Sequence, residues 1–141
     1  MKAGLAILLI ALLPAAADAR AKSKGLPLYG HFAYSSLCWG KESGDAAGAR
    51  FMLSRTNKGA RLDYEYGNGP LEGARIKSLK IMGDSFEAVA ETSDGELTLS
   101  ATLAPRKAVL KRQFDFQKDH PPGAETMKRI KSFRQKIPAC R

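Results

Sequence analysis

The stretch Arg61-Leu62-Asp63-Tyr64-Glu65-Tyr66 decides the fold class. Leu62, Tyr64 and Tyr66 fall on one side of an extended chain, and Arg61, Asp63 and Glu65 on the other. A period of two marks a strand with one face on a core and one in water. Leu97, Leu99, Ala101 and Leu103 alternate in the same way with Glu96, Thr98, Ser100 and Thr102. Phe86, Ala88 and Ala90 face away from Glu87 and Glu91. Ala108, Leu110, Phe114 and Phe116 share a face that Arg112 interrupts.

Turn chemistry separates these runs. Asn57-Lys58-Gly59, Asn68-Gly69-Pro70, Gly83-Asp84, Asp94-Gly95 and Ala104-Pro105 each stand between two of them, mostly eleven residues apart. Such spacing predicts a meander of antiparallel hairpins. Strands are expected near 49–56, 60–66, 73–82, 85–92, 96–103 and 107–116, with one or two more in 26–39. Between Leu71 and Met82 the apolar phase changes, with Ile76 on one parity and Leu79 and Ile81 on the other. A bulge near Lys77-Ser78 accounts for the switch. The sheet must hide its edges. The expected fold is therefore mainly β, an antiparallel up-and-down barrel of seven or eight strands, with a β-sandwich as the alternative.

Past His120-Pro121-Pro122-Gly123 the period lengthens. Met127, Ile130, Phe133 and Ile137 recur every three to four residues, with Lys128, Arg129, Lys131, Arg134 and Lys136 between them. This spacing predicts an amphipathic basic helix over 123–136, ended by Pro138.

At the other end, Lys2 precedes an uninterrupted apolar run from Leu5 to Leu13, then Pro14 and the small-x-small triplet Ala17-Asp18-Ala19. That order predicts a secretory signal peptide over 1–19, too short to span a bilayer. Residues 20–25 read as a short flexible basic leader, and 26–141 as a single domain. Export, to the periplasm or the exterior, is the expected destination. Two cysteines, Cys38 and Cys140, are then expected to form an internal disulfide.

The chain carries a formal charge of +9, and its last quarter holds nearly all of it. Residues 106–141 contain eleven Lys and Arg against three Asp and Glu. Lys128, Arg129, Lys131, Arg134 and Lys136 form a candidate surface for an acidic protein or an anionic envelope polymer. Nucleic acid is not the expected partner. Phe32, Tyr34, Trp39, Tyr64 and Tyr66 are candidates for core filling or for lining a cavity for a small apolar ligand. Gly40–Gly48 has the composition of a contact loop.

Catalytic signals are sparse. His31 and His120 sit at opposite ends, and the sequence contains no Gly-x-Ser-x-Gly, His-Glu-x-x-His or Cys-x-x-Cys. Asp63 and Glu65 lie on the water side of a strand. Neither a metal nor a cofactor is expected.

Strand number, turn spacing and export make residues 26–116 similar to small secreted up-and-down barrels, the lipocalin and avidin-like group. They also resemble the compact β-barrel lysozyme inhibitors of bacterial envelopes. The sole tryptophan lies in Cys38-Trp39-Gly40, not in a Gly-x-Trp opening the first strand, so no ligand or site residue carries over. The expected function is an exported, non-enzymatic binding or inhibitory module. The alternative is a small-ligand carrier, and an enzyme of unfamiliar type ranks third.

Overall fold

The structure, a computed structural model, describes residues 25–141. The signal expected over 1–19 and most of the leader expected over 20–25 lie outside the described residues. Strands dominate: β1 (Gly30–Ser35), β2 (Cys38–Trp39), β3 (Ala46–Thr56), β4 (Gly59–Gly69) and β5 (Leu71–Gly73) come first. They are followed by β6 (Arg75–Met82), β7 (Ser85–Thr92), β8 (Gly95–Leu103), β9 (Lys107–Phe114) and β10 (Gly123–Ile130).

Nine strands run in the order β5-β4-β3-β1-β10-β9-β8-β7-β6, with β2 attached to β3 off that path. The two ends of this order, β5 and β6, are separated only by Ala74, whose N–H donates to the Tyr64 carbonyl at 3.1 Å. One long kinked segment therefore pairs with β4 at its start and with β7 along the rest. The sheet rolls up into a nearly closed antiparallel barrel, which excludes the sandwich. Nine strands on the path exceed the seven or eight expected, because the segment from Leu71 to Met82 counts twice and a strand, β10, stands where a helix is expected.

The hairpins follow the turn signals. Gly83, with φ of 60°, supplies the left-handed position between β6 and β7. The phase change in β6 is a register shift between Ile76 and Ser78. Past Phe114 the chain leaves the sheet for a 3-10 turn, Asp115–Gln117, so the strand expected over 107–116 stops earlier.

The helix expected over 123–136 is replaced by β10, which pairs with β9 along Gly123–Lys128 and with β1 along Lys128–Ile130. No α-helix occurs among the described residues. Without β10, both β1 and β9 would leave a row of backbone donors and acceptors unpaired. Its inward positions are Glu125, Met127 and Arg129, of which only Met127 is apolar. Two charged residues on the inner face erase the period of two. Ile130 and Phe133 lie on the outside, beneath and within the tail, so their spacing reflects the path of the chain and not a helix face.

The inner faces form one core. Tyr34, Phe51, Phe86, Leu99, Leu110 and Met127 are fully buried across the waist of the barrel. Phe51 packs edge-on to Phe86 at 5.3 Å and tilted against Tyr34 at 5.4 Å. Emptying such a position to alanine costs about 3–5 kcal/mol for an aromatic side chain.

Candidate functional site

The two ends of the barrel differ. At one end Phe32 lies between two guanidiniums, Arg55 at 5.4 Å and Arg129 at 5.1 Å from its ring centre. Arg55 donates to the Gly83 carbonyl at 2.7 Å, and Tyr34 donates to the Ala104 carbonyl at 2.7 Å. Side chains and turn carbonyls thus close this end.

The opposite end is an open mouth of about 580 Å³. Its wall is aromatic: Phe114 and Phe116 stack at 5.3 Å, and Tyr66 meets Phe114 edge-on at 6.0 Å. Phe116 is 69% exposed, a large apolar side chain left on the rim. Its polar groups come from strand ends. Arg112, at an inward position of β9, faces Glu125 of β10 with Nη2 3.1 Å from Oε2. Glu125 also accepts a hydrogen bond from the Ser36 hydroxyl. Across the mouth the Tyr66 hydroxyl lies 3.0 Å from Asp94 and 3.1 Å from Glu72, although a phenol has one proton to donate. Burial raises the Tyr66 pKa. One layer below, Tyr64 is 2% exposed, and its hydroxyl has no hydrogen-bond partner among the described residues. Burial pushes its pKa up to about 12, against the pull of the neighbouring Arg112. Both phenols therefore remain neutral at physiological pH.

The outer surface of β9, β10, β1 and β3 has a different character. Lys107 and Lys128 face each other across the β9–β10 pair on the solvent side. Ser35 and Arg50 continue the same transverse row, which ends at Glu65, 2.6 Å from Arg50. Alternation places Lys111, Thr126, His31 and Ser54 on this side as well, and no carboxylate projects outward from these four strands. The His31 ring nitrogen Nδ1 lies 2.8 Å from the Ser54 hydroxyl.

The tail folds over part of this surface. Cys38 and Cys140 are joined in a disulfide with Cα atoms 4.8 Å apart. Trp39 accepts from Pro138 no bond but donates its own N–H to the Pro138 carbonyl at 2.8 Å, and its carbonyl accepts from Cys140 at 2.7 Å. Arg50 lies over the Phe133 ring at 4.8 Å. A cleft of about 440 Å³ between tail and sheet is lined by Lys128, Lys136, Ile137 and Arg141.

The candidate residues thus divide among several places. Lys128, Lys131, Arg134 and Lys136 are exposed, whereas Arg129 turns inward onto Phe32 and Tyr34. Tyr64 and Tyr66 stack at 6.1 Å beneath and beside the mouth, Phe32 and Tyr34 pack at the closed end, and Trp39 lies outside the barrel beside the disulfide. Residues 46–48 of the expected contact loop belong to β3. Sequence reasoning missed the mouth. Its signal was Arg112, a charge at a strand position that should point inward.

No known protein family, curated protein or solved structure matches this chain closely enough to identify a relative.

Proposed function

We propose that this chain is an exported, non-enzymatic binding module that docks an anionic envelope polymer along its β9–β10–β1 face. One observation carries the reading. Lys107 and Lys128 are directly opposite each other on the solvent side of adjacent strands. Like charges so placed cost stability, roughly 0.2–1 kcal/mol. An acidic partner turns that cost into attraction, and the exposed Lys131, Arg134 and Lys136 extend the field. The apolar signal run and the disulfide support export. A small apolar ligand inside the barrel is less well supported, because Tyr34, Phe51, Phe86, Leu110 and Met127 occupy the waist.

Retention on a heparin column, used as a generic polyanion, tests the reading. Elution should need added salt, and Lys128→Glu with Lys107→Glu should elute distinctly earlier. Equal elution of wild type and the double variant would refute the assignment. Retention on an immobilised acidic protein but not on heparin would redirect it to a protein partner.

A further inference from the structure

We propose that the open mouth is a second, separate binding site, one that takes one or two sugar units of a glycan. The argument rests on matching three kinds of group to one ligand. The wall presents the stacked rings of Phe114 and Phe116, suited to the apolar C–H face of a pyranose. Arg112 supplies donors, Glu125 and Asp94 supply acceptors, and Asn68 adds a polar residue to the lining.

Other ligand classes match only part of this set. An acyl chain satisfies the rings but strands Arg112, Glu125 and Asp94 against apolar surface, which is costly. A simple organic cation suits the rings and carboxylates yet offers no acceptor to Arg112. An inorganic anion meets Arg112 but is repelled by Glu125 and Asp94. Sugar hydroxyls both donate and accept, and the ring has an apolar face. About 580 Å³ is room for a unit or two. The mouth opens at one end of the barrel, between the ends of β4, β9 and β10 and the turn at Asp94, so the glycan enters end-on.

The test is an array of neutral and charged mono- to tetrasaccharides, followed by an NMR titration of the disulfide-bonded protein with the strongest binder. Binding of a neutral glycan, with amide shifts clustered at Gly67, Asn68, Gly123 and Ala124, is the expected result. Phe116→Ala should weaken it about tenfold, the loss of one aromatic contact. Phe116 is exposed, so that variant folds, and its elution from heparin should be unchanged. Lys128→Glu should leave glycan affinity intact, which separates this site from the basic face. Four outcomes would overturn the proposal: no glycan bound, shifts confined to the basic face, unchanged affinity in Phe116→Ala, or arginine amide shifting the mouth amides when no neutral sugar does.

Discussion

Arg129 donates a hydrogen bond to the Tyr34 hydroxyl at 3.1 Å, joining the last strand of the barrel to the first. The same guanidinium reaches the His31 carbonyl at 2.8 Å and lies over the rings of Phe32 and Tyr34, each at 5.1 Å. A cation at an inward strand position thus lies between two aromatic rings and gives up little hydrogen bonding. It closes one end of the barrel and fastens the β1–β10 seam.

Arg129→Met should therefore destabilise the protein by about 2 kcal/mol in chemical denaturation, the scale of a charge-assisted hydrogen bond plus a stacked cation. Phe32→Leu combined with it should cost less than the two single changes added together, because they share a contact. Strict additivity would mean that the stacking contributes nothing. Heparin retention should barely change, since this arginine faces the interior.

The disulfide acts mainly on the unfolded chain. Cys38 and Cys140 are 102 residues apart, and closing a loop of that length is worth about 4–5 kcal/mol in the chain-entropy view. Cys38→Ser with Cys140→Ser should lower stability by up to that amount. The barrel should persist, because β1 and β10 pair without help from the bridge. Hydrogen exchange should then show lost protection at Trp39 and Cys140, whose amides bond across the two segments, while β7 and β8 stay protected. Loss of sheet signal in circular dichroism would contradict this.

Tyr64 makes stability fall at alkaline pH. Its folded pKa of about 12 lies above the ordinary value of 10.0, so the folded state holds a proton that the unfolded chain releases. The stabilisation is complete below pH 10 and is lost as pH rises towards 12, at up to about 1.4 kcal/mol per pH unit. Tyr64→Phe should reduce that slope, leaving the smaller contribution of Tyr66, whose pKa burial also raises. It should also leave neutral-pH stability unchanged or slightly higher, because the hydroxyl it deletes is buried without a partner. Urea midpoints measured across the alkaline range decide the matter.

Legibility in the sequence followed how much of each strand faced an apolar core. In β4, β7 and β8 the buried inward positions are all apolar or aromatic, so alternation revealed them, and Asp94-Gly95 and Gly83-Asp84 marked their turns. Even the register shift in β6 showed as a change of phase between Ile76 and Leu79. β10 was hidden because Glu125 and Arg129 point inward near the two ends of the barrel, where partners on other strands satisfy them. Those partners, Ser36, Arg112, Tyr34 and His31, are remote in sequence, and no local pattern announces them. The mouth escaped for the same reason: Asn68, Asp94, Arg112, Phe116 and Glu125 come from separate segments and meet only when the sheet closes.

Lys128 separates stability from binding. Its register partner on β9 is Lys107, its partner on β1 is Ser35, and the acidic residue that compensates the row, Glu65, is already paired with Arg50. Nothing on the neighbouring strands therefore neutralises the lysine pair. Lys128→Glu exchanges repulsion for attraction across β9–β10 and should raise stability by roughly 0.2–1 kcal/mol. If the pair exists to hold an anionic partner, the same change should also lower the salt concentration at which the protein leaves heparin. A substitution that strengthens the fold and weakens the interaction is the signature of a functional charge cluster. A gain in stability with unchanged retention would leave Lys107 and Lys128 as a solvated surface only.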